Sequence, residues 1–366
     1  MMLQYFMPTR VIMGEDSIKK NPSVFSEMGK KALIVTGKSS AKKNGSLDDV
    51  IEVLSKNGQS WSIYDKVMSN PTVECVYEGA SHARAEEVDY VIGIGGGSPM
   101  DAAKAIAMLA CQDITEDQLF SGNYGKEVLP MIFVPTTAGT GSEVTSASVL
   151  THHKQKTKIG ISSPVLFPDV AFLDAKYMDD LPRDVTVNTV IDALSHSVEG
   201  MLSVRANPLT DALASVSIRM IASCFEALKK FDLSRKDREN LLYASTLAGM
   251  VISSTGTVAV HAMGYSLTYF KNMDHGRANG VLLAEFLRFI EEHLPDKVEQ
   301  ILSYMGMKNV DEFKDLLDEL LGLKEEITLD EINMYTEITM PKHNIKNTIV
   351  EPKKEDIFNI YKSSLC

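Results

Sequence analysis

The sequence predicts an α/β domain with a mainly parallel sheet, followed by an all-helical domain. Three observations carry this reading. Up to about residue 176, short β-rich runs alternate with helical patterns, as in a sheet flanked by helices. After Leu181-Pro182 those runs disappear, and helical periodicity continues almost to Cys366. Within the first part, the apolar run Val91–Ile94 breaks into Gly95-Gly96-Gly97 and then opens a helix from Ser98-Pro99-Met100-Asp101. The boundary is placed near residue 180, dividing 1–180 from 181–366.

The expected strands, in order, are Ala32–Thr36, Trp61–Tyr64, Tyr90–Ile94, Met131–Val134 and Val170–Leu173, each short and rich in β-branched or aromatic residues. The Thr- and Ser-rich stretch from Glu143 to Ile161 adds a hairpin on the sheet's rim. Pro182 suits the first turn of a helix, where its missing N–H leaves no bond unmade. Leu316 to Glu331 reads as acidic helical surface.

At 366 residues, 44% hydrophobic and 23% charged, the chain can bury a large core and divide into about two domains. A net charge of -12 argues against nucleic-acid and anionic-membrane partners, which need a basic face. Cys75, Cys111, Cys224 and Cys366 are scattered and form no Cys-x-x-Cys pair, which fits a reducing compartment. Met1 to Arg10 has no basic stretch followed by a long apolar run, and no 18-residue apolar segment occurs. A soluble cytoplasmic protein is expected.

Glycines let a backbone approach a pyrophosphate closely, and the N–H groups of a new helix point at the anion. Gly95, Gly96, Gly97 and Ser98 have that layout, with Ser98 adding a hydroxyl donor. The spacing differs from Gly-x-Gly-x-x-Gly, and it does not follow the first expected strand, which ends in Gly37-Lys38-Ser39-Ser40. The expectation is a nucleotide bound by a Rossmann-like variant of the doubly wound arrangement.

Asp192 and His196 stand four apart, on one helix face. His261 lies in an apolar helical pattern, and His275 just before what reads as the next helix. Taken singly, each histidine is open to a reading as a hydrogen-bonded core or capping residue. Together they offer one carboxylate and three imidazoles, enough for a divalent transition metal with room for a substrate oxygen or water. His82, His152, His153, His293 and His343 lie in polar surroundings and read as surface.

With both motifs in hand, the chain resembles the iron-containing (group III) alcohol dehydrogenase family. The likeness runs through Phe6–Arg10, the Gly95–Lys104 loop, Pro135–Glu143, Asp192–His196, His261–Met263 and His275–Asn279, with Asn347–Tyr361 similar to the family's closing segment. The resemblance implies the dehydroquinate synthase-like fold, with a nucleotide-binding α/β domain, a helical metal-binding domain and a cleft between them. It implies that Gly95, Gly96, Gly97 and Ser98 bind pyrophosphate and that Asp101 lies near the cofactor. Thr136, Thr137, Thr140 and Ser142 would line the cofactor cleft, with Lys158 reaching the nicotinamide-side ribose. Asp192, His196, His261 and His275 match the metal-ligand positions, for Fe2+ first and Zn2+ next.

What the resemblance implies for activity is hydride transfer between a nicotinamide cofactor and a primary alcohol or aldehyde, by a homo-oligomer with a dimer as the first guess. NADP is preferred over NAD, because NAD-preferring relatives often carry Asp where this chain has Gly37, and Ser39, Ser40 and nearby lysines can meet a 2′-phosphate. Two positions depart from many relatives: Tyr265 stands where a histidine is linked to proton transfer, and Ile252 where a phenylalanine faces substrate. A zinc-dependent, glycerol dehydrogenase-like enzyme is the nearest rival reading. A catalytically silent metal- or nucleotide-binding regulator is the rival from another class. A dehydroquinate synthase-like reaction needs several basic residues, whereas Val251–Met273 offers only Lys271.

Overall fold

The computed structural model describes residues 5–155, 157–322 and 325–365, so Cys366 and part of the stretch Leu316–Glu331 lie outside the described residues. The chain divides into two compact units: one holds Phe6–Thr137 and Gly141–Leu181, and the other runs from Pro182 onward and also takes in Ala138–Thr140.

The first unit carries β1 (Arg10–Met13), β2 (Lys31–Thr36), β3 (Ser60–Tyr64), β4 (Tyr90–Gly95), β5 (Met131–Pro135), β6 (Ala147–His152), β7 (Thr157–Ser162) and β8 (Val170–Leu173). Six of them form one wholly parallel sheet in the order β1-β8-β5-β4-β2-β3, while β6 and β7 make the expected hairpin. The alternation of side chains along each strand builds a core on both faces. Leu33, Val35, Val91 and Phe133 join one apolar cluster, to which the helices Val73–Ala85 and Gly97–Cys111 contribute. Ala32, Ile34, Ile92 and Ile132 join the other, with Phe25 stacked on Phe172 at 5.3 Å.

β1 was not expected. It is short, only partly buried and held by β8 alone, so it lacks a clear apolar run. The strand ending at Thr36 is therefore the second. From β2 the chain steps outward to β3, then returns to the other side of β2 for β4. This reversal creates a crevice at the carboxyl ends of β2 and β4, the usual ligand position in an open parallel sheet.

In the second unit, the only pairing of extended residues among those described is the bridge Ser203–Thr348. Its first helix is Arg183–Met201, with Pro182 at the cap position and not inside the first turn as expected. Leu316 to Glu331 is not one acidic surface: the helix Val310–Leu321 ends before Gly322, another begins at Leu329, and Leu316, Leu317 and Leu320 are buried. Among the described residues no single helix is long and apolar enough to cross a membrane.

Candidate metal centre and nucleotide cradle

In the sheet unit, Thr36 pairs with Ile94 and Gly95 with Pro135, so the segments that follow β2, β4 and β5 emerge side by side. This brings Gly37, Gly95–Ser98 and Thr136–Thr137 to one edge of the sheet. Gly95 closes β4 at φ +145°, and a Cβ there would meet Pro99 Cγ at 2.7 Å. Only glycine accepts that combination. At Gly96, the cap of the helix Gly97–Cys111, a Cβ would press on Thr137 Oγ1 at 3.0 Å. Thr136 N donates to Gly95 O at 2.9 Å, which ties the two loops together. The helix begins with free N–H groups above a cradle that a side chain would fill, and this suits a pyrophosphate. Ser98 Oγ also accepts from Asn70 N at 3.1 Å. Ser39 and Ser40 are exposed at the start of the short helix Ser40–Lys43.

Behind the cradle lies a buried polar cluster. Lys104 Nζ donates to Ser142 Oγ (2.8 Å), Thr145 Oγ1 (3.1 Å) and Ala147 O (2.7 Å). Ser142 Oγ donates to Asp101 Oδ1 at 2.7 Å, and Val149 N to Asp101 Oδ2 at 3.0 Å. Ser142, expected to line the cleft, is thus buried with its hydroxyl held between Lys104 and Asp101. Lys158, on β7, is half-buried, and its charge acts on Asp101. Burial pushes the Asp101 carboxyl up, against the pull of Lys104. Burial likewise pushes Lys104 down, to about 8. Thr140 belongs to the segment that groups with the helical unit.

In the helical unit, Asp192 and His196 project from the helix Arg183–Met201, His261 from Ala259–Lys271, and His275 from the first position of His275–Glu291. Close backbone approach brings them together. A Cβ on Gly276 would lie 1.8 Å from Asn188 O, and one on Gly264 would lie 2.1 Å from Asn279 Oδ1. The two glycines therefore let the helix bearing His275 touch the helices bearing Asp192 and His261.

Donor atoms of Asp192, His261 and His275 lie within 4.8 Å of one another. Asp192 Oδ1 is 3.5 Å from His261 Nε2 and 3.9 Å from both His275 Nε2 and His196 Nε2. His196 Nε2 is 3.0 Å from His261 Nε2. Two imidazole nitrogens bound to one metal at about 2.1 Å, with angles from octahedral to tetrahedral, are roughly 3.0–3.4 Å apart. The Asn279 amide nitrogen sits 2.9 Å from Asp192 Oδ1 and 3.1 Å from His261 Nε2, yet Asn279 Oδ1 is buried without a partner. One carboxylate and three imidazoles, with Asn279 beside them, make a donor set that a divalent cation fits.

Asp192 and His196 are held in their electron-pair-donating forms, whereas His261 retains a proton that a metal at Nε2 would displace. Burial would raise the Asp192 carboxyl, but the three surrounding histidines hold it well below the carboxylate range. Burial depresses His196, to about 4. It acts the same way on His261, but the Glu199 carboxylate against its Nδ1 prevails and pushes it up to about 9.

Glu199 stands in none of the sequence motifs, and Lys104 and Asn279 stand in theirs without a role of their own. All three carried a weak signal. Glu199 is seven residues after Asp192 on the same helix face, Asn279 follows His275 by one turn, and Lys104 interrupts an alanine-rich buried run. The reading also placed His152 on the surface. Its side chain is buried, 2.9 Å from Glu116 and 5.1 Å from the Phe120 ring between centroids, because the hairpin folds over the helix Glu116–Ser121.

Comparison with known proteins gives consistent findings. The sequence pattern of iron-containing alcohol dehydrogenases matches residues 8–175, and that of the C-terminal part of the Fe-containing alcohol dehydrogenase family matches residues 186–365. The chain is 38% identical to 1,3-propanediol dehydrogenase of Citrobacter freundii over 316 residues, which cover 83% of this chain and 80% of the relative. It is 37% identical to lactaldehyde reductase of Escherichia coli (strain K12) over 283 residues, 76% of this chain and 73% of the relative. The crystal structure of an iron-containing alcohol dehydrogenase from Thermotoga maritima superposes with a TM-score of 0.93 at 39% identity, covering 100% of this chain and 99% of that one.

Proposed function

Because the chain belongs to the iron-containing alcohol dehydrogenase family, we propose that it interconverts a primary alcohol and its aldehyde with NADP(H) as the preferred nicotinamide cofactor. The observation that carries this reading is that donor atoms of Asp192, His261 and His275 lie within 4.8 Å of one another, with His196 Nε2 beside them, 3.0 Å from His261 Nε2 and 3.9 Å from Asp192 Oδ1.

In this reading those four residues hold a divalent metal, iron(II) first and zinc next. The metal supplies Lewis-acid polarisation of the substrate oxygen. Gly95, Gly96, Gly97 and Ser98 receive the pyrophosphate on the helix N-terminus. Thr136 and Thr137 bound the cradle, with Asp101, Thr140, Ser142 and Lys158 close to the cofactor. Gly37 leaves the carboxyl end of β2 without an acidic side chain, and Ser39, Ser40, Lys42 and Lys43 provide hydroxyls and positive charge for a 2′-phosphate. Cys75, Cys111 and Cys224 are free thiols, in keeping with a reducing cytoplasm.

The test is anaerobic purification, metal analysis, and assay of a panel of aldehydes and alcohols with NADPH and NADH. The expected result is one metal per chain and aldehyde reduction faster with NADPH. Glycerol oxidised ahead of monohydric alcohols by a zinc form would favour the polyol enzyme. No oxidation of either cofactor by any aldehyde at full metal loading would favour the silent binder.

A further inference from the structure

Glu199 is fully enclosed, at 0% exposure, and is not among the donors assigned to the metal. Its Oε1 meets Nδ1 of His261, while its Oε2 accepts from Val258 N at 2.7 Å and from His261 N at 3.4 Å. We propose that Glu199 is a positioning residue that holds His261 with its proton on Nδ1 and the lone pair of Nε2 directed at the metal. This rests on the reading of His261 as a ligand.

A neutral imidazole carries one N–H and one lone pair, and a carboxylate only accepts. The nitrogen facing Glu199 must therefore carry the proton. The other nitrogen, Nε2, is the one that faces Asp192 and His196. The same carboxylate accepts from the N–H of Val258, the cap of the helix Ala259–Lys271, and from that of His261 in its first turn, so ring and backbone are set by one group.

Two further observations separate this role from simple helix capping. The turn into that helix is held independently, by Asn347 Nδ2 on Thr255 O (2.9 Å) and Thr257 O (3.0 Å), and by Ala259 N donating to Thr348 Oγ1 (3.3 Å). Charge balance is the second. An enclosed carboxylate is costly unless compensated. Asp192 and Glu199, four and three residues to either side of His196 on one helix, together offset the two charges of a divalent cation.

The experiment uses metal-stripped full-length protein titrated with Co2+ against a competing chelator. The unmodified protein should bind tightly, and His261→Ala should lose the site. Glu199→Gln, nearly equal in shape, should bind Co2+ about 10–100-fold more weakly with an altered visible spectrum, while its NADPH affinity stays unchanged. Affinity and spectrum retained in Glu199→Gln, with binding lost in His261→Ala, would overturn this inference and leave the metal reading standing. No binding by the unmodified protein would overturn both. Should Glu199→Gln fail to fold, 15N-histidine NMR of the zinc-loaded unmodified protein decides: a protonated His261 Nδ1 supports the inference, and a proton on Nε2 overturns it.

Discussion

The phenol ring of Tyr265 lies face to face with the imidazole of His275, their centroids 5.5 Å apart and their planes 12° apart. The same ring stands edge-on to His261, at 6.5 Å. Tyr265 therefore braces two of the three donor rings, whatever its hydroxyl does. Tyr265→Phe keeps both contacts and should leave kcat within about threefold, whereas loss of a general acid or base would cost about 10²-fold. Steady-state rates with metal content measured on the same sample check this. A hundredfold loss at full metal occupancy would identify the phenol as a proton relay.

His261→Ala and His275→Ala should each lose metal and turnover while NADPH still binds. Removing either imidazole deletes a coordinate bond, and neither belongs to the unit that carries the glycine loop. Metal analysis and NADPH fluorescence titration read the two effects separately. Wild-type metal content in either variant would show that the donor set is misassigned.

Gly37→Asp should turn the enzyme towards NADH. The position has no left-handed backbone, and a Cβ there would meet Val67 O at 3.4 Å and Ser40 Oγ at 3.7 Å, ordinary contacts that leave room for the first carbon of a side chain. An added carboxylate would accept from the ribose hydroxyls and repel a 2′-phosphate. Hydrogen bonds to charged groups contribute about 1.5–3 kcal/mol, so kcat/KM with NADPH should fall roughly 10–100-fold. The kcat/KM ratio for the two cofactors with one aldehyde checks it, and undiminished use of NADPH would overturn the cofactor assignment.

Lys104 predicts a pH dependence of stability. Burial brings its amine down to about 8 from the ordinary 10.5. Below pH 8 both folded and unfolded chains carry the proton, and the burial penalty acts in full. Between about 8 and 10.5 only the unfolded chain keeps the proton, so stability rises with pH across that window. Lys104→Met lacks this term. The stability of the unmodified protein relative to the variant should therefore grow from pH 8 to 10.5, by at most about 3.4 kcal/mol in urea unfolding. A difference that stays flat or shrinks would mean that the amine titrates at its ordinary value in the fold.

Much of this architecture is local and is legible in the sequence alone. The five strands read from β-branched runs all formed, the triple glycine did turn a strand into a helix, and Asp192 and His196 did share a helix face. These features repeat or juxtapose within a few residues, which is the range over which backbone geometry translates sequence into shape. The short strand Arg10–Met13 escaped because it is an edge strand without a clear apolar run. His152 escaped because its polar neighbours conceal the Glu116 and Phe120 contacts that bury it.

By itself, then, the sequence determined the order of elements, the glycine turn and the identities of the candidate donors. Tertiary structure decided which donors meet. His261 lies 65 residues from His196, and no periodicity spans that gap. Their rings come within 3.0 Å because helices pack closely where Gly264 and Gly276 leave room, and because Glu199 turns one ring towards the other. A carboxylate seven residues after Asp192 is, in one dimension, only another charge on a helix. Its partner, and so its work, exists only once the helix Ala259–Lys271 is laid against it.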